Sequence, residues 1–417
     1  MTGDESMNSI VLNPHHVRDA EVIVGIPSFN ESDTISNVAA TASQGLLEYF
    51  PHKKCVIINA DNDSPDGTRD AFLSTDTKTP KIYISTPKGA KGKGRNVKNL
   101  FVAAVELKAS AVVIVDADLT SFTPKWILRL GEPLFRGFDY VSPIYERHKY
   151  DASITNHFAR PLLQALYGVK IRQPIGGDFG FSGRAAMAFL SEKLWTEKVS
   201  HFGIDIWMTT LACLRGLKVC ETFLESCKSH RVKDPARELS IMFQDVIATI
   251  FDLMVPFEYV WEEVTQSHPS AIFGYGLGVH EKPPVPFVDI DHLYRTFVEG
   301  FDTHGETWKK VIPEPDRTQI ENIGRQARDG FYYPSELWVR ILYDYAVAYR
   351  YEAVPRQLLL DSLVAFYYSR MLSYMNKTRD MGTRECEEYL DSIYRVYERE
   401  KSHLIERWDG CRKNFLD

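Results

Sequence analysis

The sequence predicts an α/β fold built on a mostly parallel sheet, with a helical region appended towards the C-terminal end. Three observations predict it. Apolar, largely β-branched runs alternate with segments of helical periodicity over the first 120 or so residues, which is the pattern of repeated βαβ units. Each run ends in a loop rich in Gly, Asp, Asn or Lys. Beyond residue 292 long amphipathic stretches follow one another with no strand signal.

Residues 1–19 are polar and aperiodic and read as a flexible leader. Glu21–Ile26 is the first buried strand, ending at Pro27-Ser28-Phe29-Asn30-Glu31. Ile35, Val38, Ala39, Ala42, Leu46 and Leu47 then fall at helical spacing. Lys54–Ala60 is the second strand, closed by a dense turn signal from Asp61 to Thr68. Lys81–Ser85 is the third, followed by the basic glycine loop Lys88–Arg95 and a helix over about Asn96–Leu107. Ala111–Val115 is apolar throughout, hence buried on both faces, and ends in Asp116-Ala117-Asp118.

The pattern then loosens. A helix over Pro124–Phe135, a strand at Tyr140–Pro143 and a helix near Thr155–Tyr167 lead to a second glycine loop, Gln173–Gly180. A helix follows His201-Phe202-Gly203-Ile204-Asp205, and a strand over Lys218–Leu224 runs into Lys228-Ser229-His230-Arg231. From about Arg237 the chain is helical. The α/β domain is placed at 20–265, a Pro- and Gly-rich connector at 266–291 and the helical region at 292–417, with long helices at Glu336–Tyr351, Arg356–Asn376 and Cys386–Ile405.

Composition bounds the function. At 44% hydrophobic and 25% charged, 417 residues suit a large soluble core. A net charge of −7 argues against a general nucleic-acid binder, whose affinity comes from neutralising phosphates. The six cysteines contain no C-x-x-C pair and no zinc spacing, which favours a reducing, cytoplasmic setting. No signal-peptide pattern and no membrane-length apolar run are visible, so no transmembrane segment is expected. The sequence leaves room for a homo-oligomer.

Four strand-end loops carry the chemistry: Pro27–Glu31, Ala60–Gly67, Lys88–Arg95 and Asp116–Asp118. In a parallel sheet all four lie on one edge, where ligands of open α/β sheets bind. Two acids one residue apart can hold a divalent cation that shares its shell with substrate phosphates, or can cap the next helix. The lysines between the glycines of Lys88–Arg95 precede a helix N-terminus and suit an anion, although the spacing is neither a P-loop nor G-x-G-x-x-G. The alternative is a solvated basic loop. Glu31 can accept hydrogen bonds from a base or ribose, or close a capping box with Ser28 as N-cap. His230 can join carboxylates on Mn²⁺ or Mg²⁺, though a lone His is more often structural. Asp205 opens a helix, where capping is the simplest role. Arg147, Asp151 and Thr155, spaced by four, share one helical face if that helix starts early, either as a site or as a solvated face with an ion pair.

Taken in order, Gly92-Lys93-Gly94, Asp116-Ala117-Asp118-Leu119-Thr120-Ser121-Phe122, Gln173-Pro174-Ile175-Gly176-Gly177-Asp178, Phe202-Gly203-Ile204-Asp205 and Lys228-Ser229-His230-Arg231 resemble the retaining nucleotide-sugar glycosyltransferases of the GT-A fold, a Rossmann-like architecture. The set looks most like mannosylglycerate synthases and more distantly like glucosyl-3-phosphoglycerate synthases. It spans roughly Glu21 to Arg231, and Arg370-Met371-Leu372-Ser373-Tyr374 is similar in character to the C-terminal helices of such synthases.

The resemblance implies that Asp118 and His230 ligate a divalent cation, Mg²⁺ or Mn²⁺, with Asp116 on the ribose or on metal-bound water. Pro27, Glu31 and Lys93 would line the nucleotide, and Ile175 and Gly176 would contact the donor sugar region. Asp205 would sit beside the reacting hexose, and Arg147, Asp151 and Thr155 would hold a small hydroxy acid such as D-glycerate. The implied reaction moves mannose or glucose, from GDP-mannose or UDP- or ADP-glucose, with retention, Lys93 and the cation neutralising the leaving diphosphate. Two departures touch these contacts: Pro27–Glu31 is closer to the broad inverting pattern, and Val232-Lys233 follows His230 in place of a bulky aromatic. The competing readings are an inverting transferase acting on a lipid phosphate or polysaccharide, with Asp205 as general base, and a nucleotide-sugar binding protein without turnover.

Overall fold

In a computed structural model the described residues are 10–229, 235–275, 283 and 285–416. They fall into two compact units, Met1–Arg147, Ile171–Pro235 and Pro269–Pro283 in the first, and His148–Lys170, Ala236–His268 and Pro284–Asp417 in the second.

The strands are β1 (Ile10–Leu12), β2 (Val22–Ser28), β3 (Cys55–Asp61), β4 (Lys81–Ser85), β5 (Ala111–Ile114), β6 (Tyr140–Glu146), β7 (Val169–Lys170), β8 (Phe179–Ser182), β9 (Val219–Cys227), β10 (His268–Pro269) and β11 (Ala271–Phe273). Nine of them form the sheet of the first unit, in the order β1-β4-β3-β2-β5-β8-β6-β9-β11. β2 pairs in parallel with β3 and β5, β3 with β4, β6 with β9 and β9 with β11. β8 runs against β5 and β6, and β1 against β4. The mostly parallel α/β class read from the sequence is the class that forms.

The strands lack polar alternation because both faces are covered. Val22, Val24 and Ile26 join Ile57, Tyr83 and Val113 in a core closed by Ile35, Val38, Ala42 and Leu46 of the Ile35–Tyr49 helix and by Trp126, Ile127 and Leu130 of the Pro124–Phe135 helix. The period-2 rule sends Gly25 to the opposite face. A Cβ there would lie 2.6 Å from Leu100 Cδ1, so the missing side chain is what lets the Lys93–Glu106 helix seat on the sheet. Phe101 of that helix packs at 5.3 Å from Phe181 and 5.2 Å from Phe189.

Some local expectations differ. Ile10–Leu12, expected in the leader, pairs with Tyr83–Ser85 because its apolar side chains can extend the sheet edge. Ser28 does not cap a helix: β2 runs through it, the helix begins at Ile35 after Thr34, and the Ser28 hydroxyl donates to Asp61 at 2.8 Å. The expected connector contributes the edge strand β11. The stretch Cys386–Ile405 is two helices, Thr383–Arg399 and Lys401–Leu416, parted at Glu400.

The second unit is helical, with Arg160–Tyr167, Pro235–Met254, Ile290–Val311, Glu314–Gly324, Ser335–Arg350 and Arg356–Thr378 joining those two. Its core is aromatic: Phe158 lies 4.6 Å from Phe243, 5.0 Å from Trp338 and 5.1 Å from Tyr367.

Candidate active site

The carboxyl ends of β2, β3, β4, β5, β6 and β9 lie along one edge of the sheet, as the parallel pairing requires. Antiparallel β8 presents its beginning there, so Asp178, immediately before Phe179, arrives at the same place. The Asp116 backbone N–H donates to Asp178 Oδ1 at 2.9 Å. The Asp116 carboxylate is held between two ammoniums, Lys93 Nζ at 2.9 Å from Oδ1 and Lys228 Nζ at 2.9 Å from Oδ2. Lys228 also donates to Asp178 Oδ2 and to the Gly176 carbonyl, both at 2.8 Å. Lys93 reaches Asp205 Oδ1 at 3.4 Å, and the Tyr145 hydroxyl donates to Asp178. Gly177 makes this packing feasible: it has φ +84°, and a Cβ there would lie 2.3 Å from Asp116 Oδ2 and 2.7 Å from Lys228 Nζ.

Three carboxylates, those of Asp116, Asp178 and Asp205, therefore face the two ammoniums of Lys93 and Lys228. Burial pushes the Asp116 carboxyl up, but Lys228 and Lys93 outweigh it and hold the acid well below its usual range. Burial works against the charged form of Lys93, which Asp116 and Asp205 nevertheless carry above its usual value. For Lys228 burial is likewise overcome, by Asp116 and Asp178. Asp178 and Asp205 stay above the usual carboxylate range because desolvation dominates over Lys228 and Lys93 respectively. Asp116 is thus firmly ionised, whereas Asp205 is the acid closer to exchanging a proton.

The flanking loops are fixed to this edge. Asp61, fully buried, accepts from the Ser28 hydroxyl at 2.8 Å, the Ser64 hydroxyl at 2.7 Å and the Tyr83 hydroxyl at 2.9 Å. Asn62 accepts from the Gly92 N–H at 2.7 Å and donates to Asn96 at 2.6 Å, joining the second strand-end loop to the basic one. The basic loop splits its charges: Lys93 turns to the acids, Lys91 lies 4.5 Å over the Phe29 ring, and Arg95 pairs with Glu197 at 3.2 Å. Its glycines answer to packing, since a Cβ on Gly94 would lie 1.9 Å from the Val199 carbonyl oxygen.

Residues 48–251 match the family model described as mannosylglycerate synthase, GT domain. All five motif segments lie inside that span. The resemblance to mannosylglycerate synthases holds. A mannosylglycerate synthase of Rhodothermus marinus is 28% identical over 174 residues, 41% of this chain and 43% of the relative. One of Selaginella moellendorffii is 28% identical over 179 residues, 42% and 41%. The chain thus spans less than half the length of the curated mannosylglycerate synthases it matches. Among solved structures, glucosyl-3-phosphoglycerate synthase of Mycobacterium tuberculosis, in complex with Mn²⁺, UDP and phosphoglyceric acid, is 24% identical with a TM-score of 0.45, over 57% of this chain and 78% of that one.

Of the residues read from the mannosylglycerate synthase resemblance, Lys93, Asp116, Asp205 and Gly176 come together as described. Asp118 is half-buried two residues past Asp116, and Ile175 is half-buried beside Gly176. Pro27 is the penultimate residue of β2, and Glu31 is 3% exposed, its carboxylate accepting from the Thr34 hydroxyl at 3.0 Å. Arg147, just past β6 in the first unit, lies 5.2 Å over the Tyr145 ring. Asp151 and Thr155 belong to the second unit, Thr155 opening a π-helical turn, Thr155–Ala159. Helix begins only near residue 153, so the expected alignment of 147, 151 and 155 on one helical face does not form. His230 lies outside the described residues.

Sequence reasoning missed Lys228, Asp178 and Tyr145 as site residues. The first two were quoted only as motif flanks, and an antiparallel strand entering from the far side was the unread signal for Asp178. Among the described residues no group of three or more His, Cys, Asp or Glu side chains converges as a metal cage.

Proposed function

We propose that the protein is a divalent-metal-dependent, retaining hexosyltransferase. It would move mannose or glucose from a nucleotide-diphosphate sugar to the hydroxyl of D-glycerate or a similar small hydroxy acid. The observation that carries the reading is the Lys93–Asp116–Lys228–Asp178 cluster with Asp205, gathered on the sheet edge within the segment that matches mannosylglycerate synthases.

Asp118 and His230 are the residues that would hold Mg²⁺ or Mn²⁺ against the leaving diphosphate. When bound, the ion supplies Lewis-acid stabilisation of the leaving diphosphate. Lys93, tethered to Asp116 and Asp205, is placed to share that negative charge as the glycosidic bond breaks. Pro27 and Glu31 would line the nucleotide, with Asp116 towards the ribose. Ile175 and Gly176 would border the donor sugar. Asp205 would stabilise an oxocarbenium-like hexose, which the acceptor hydroxyl captures on the face the diphosphate leaves. Arg147 would hold the acceptor, its guanidinium pairing with the acceptor carboxylate. Lys228 and Asp178 act through Asp116, as positioning residues.

The raised affinity of Asp205 for a proton favours one second reading, an inverting transferase with Asp205 as general base. A screen of GDP-mannose, UDP-glucose and ADP-glucose against D-glycerate and 3-phosphoglycerate, with Mg²⁺ or Mn²⁺, tests the proposal. Transfer of hexose in one donor–acceptor pair, abolished by chelator, is expected. Metal-dependent donor binding with neither hydrolysis nor transfer would leave a binding protein instead.

A further inference from the structure

One buried ring touches both halves of the proposed site. Val141, Pro143 and Tyr145 share a face of β6, because alternate residues of a strand point the same way. Arg147 continues that spacing just past the strand, and its guanidinium lies 5.2 Å over the Tyr145 ring. The Lys228 ammonium, arriving from the end of β9, lies 5.4 Å over the same ring. The electron-rich face of an aromatic ring attracts cations within about 6 Å. One side chain thus holds two like charges that repel each other, and the Arg147 charge indeed works against protonation of Lys228.

The hydroxyl of the same residue addresses different groups. It donates to Asp178, and the Gly176 carbonyl lies 3.2 Å away. Burial pushes this phenol well above its ordinary pKa, with Asp178 adding to the rise, so it stays protonated and remains a donor. Asp178 and the Gly176 carbonyl are the groups that also accept from Lys228. The bare Gly176 backbone brings them within reach, since a Cβ there would lie 2.7 Å from Pro143 Cγ. Trp126, fully buried, packs at 5.5 Å from the Tyr145 ring and donates through Nε1 to Ser226 at 2.7 Å, two residues before Lys228. Packing therefore fixes the ring, while its face and its hydroxyl serve separate partners.

We propose that Tyr145 is a positioning residue with two separable tasks. Its ring face orients Arg147 for the acceptor carboxylate, and its hydroxyl fixes Asp178 and Lys228 on the donor side. The inference rests on the proposed function, in which Arg147 meets the acceptor and the acid–lysine cluster serves the donor.

Steady-state kinetics of the full-length protein tests it, with D-glycerate or 3-phosphoglycerate as acceptor and the donor that supports transfer. The variants are Tyr145→Phe, which keeps the ring and loses the hydroxyl, and Tyr145 replaced by trifluorophenylalanine, which keeps the ring and withdraws electrons from its face. Tyr145→Phe should lower kcat about tenfold, the scale of one hydrogen bond to a charged group, with acceptor KM within about twofold of wild type. Fluorination should raise acceptor KM about 3–10-fold above that of Tyr145→Phe, the scale of one cation–π contact. In an Arg147→Met background it should raise KM no further. Packing alone would not respond to fluorination in this way. Equal acceptor KM for the two rings, a fluorination effect that survives Arg147→Met, or an unchanged kcat in Tyr145→Phe overturns the proposal and leaves the transferase reading intact. A wild type that transfers hexose to neither acceptor overturns that reading and this proposal together. If the fluorinated protein does not fold, Tyr145→Phe decides alone, through a fall in kcat at unchanged acceptor KM.

Discussion

The Lys228 ammonium lies 2.9 Å from Asp116 Oδ2, on the opposite side of that carboxylate from Lys93. The first acid of the Asp-x-Asp pair is therefore clamped by protein charge on both oxygens.

Lys228→Met removes the cation between Asp116 and Asp178 and leaves two buried carboxylates facing one another. A loss of about 3–5 kcal/mol in unfolding free energy at pH 7 is expected, the range for breaking one partner of a buried pair. Asp178, already raised by burial and no longer offset by Lys228, then titrates higher when folded than when unfolded, so the penalty shrinks as pH falls and it takes up a proton. Urea unfolding at pH 7 and pH 4 checks this; an equal deficit at both values would rule out the clamp.

Asp118→Ala should lower transfer by a factor on the order of 10²–10³ or more, the scale of losing one preorganised charge-stabilising contact. Its stability should stay within about 0.5 kcal/mol of wild type, because the side chain is half-buried on a loop. Activity with circular dichroism on the same sample measures both, and full activity would refute the metal assignment.

Gly177→Ala and Gly216→Ala separate backbone strain from crowding. Both glycines have positive φ, +84° and +68°, and each alanine should cost about 1–2 kcal/mol for that alone. Nothing lies within 4 Å of a Cβ at Gly216, whereas at Gly177 it meets Asp116 and Lys228. Gly177→Ala should therefore be the more destabilising by thermal unfolding and should also weaken donor binding, measured by calorimetry. Equal effects would mean the clamp tolerates displacement.

Asp139 gives the pH dependence of the sheet. Burial raises its carboxyl, but Arg184, the Lys218 N–H at 2.9 Å and the Ser182 hydroxyl at 3.0 Å outweigh this and hold it below the usual range. A depressed folded pKa contributes stability above the unfolded value of about 3.9 and loses it as pH falls through the folded one. Asp139→Asn should cost about 1–3 kcal/mol at pH 7 and progressively less below roughly pH 4. Urea midpoints at pH 7 and pH 3 check the closing gap.

Much of this was legible because parallel strands obey a simple rule. The runs Val22–Ser28, Cys55–Asp61, Lys81–Ser85 and Ala111–Ile114 are buried on both faces, and their ends must share an edge. Lys93 and Asp116 followed from loops attached to that edge, whereas Asp205 entered only through the family resemblance. The reversed strand Phe179–Ser182 was not legible, since a four-residue Phe-Gly-Phe-Ser run carries no direction, and Asp178 was lost with it. Lys228 was overlooked beside His230 because a buried lysine between two acids is a tertiary fact. The helical spacing of Arg147, Asp151 and Thr155 misled because helix starts only near residue 153.

The most direct test of the account is proton NMR of the product formed from α-linked GDP-mannose or UDP-glucose and D-glycerate in the presence of Mn²⁺. The account predicts an α-linked hexosyl glycerate that fails to form after chelation. A β-linked product would contradict retention, and free hexose alone, with the acceptor unchanged, would contradict the transferase itself.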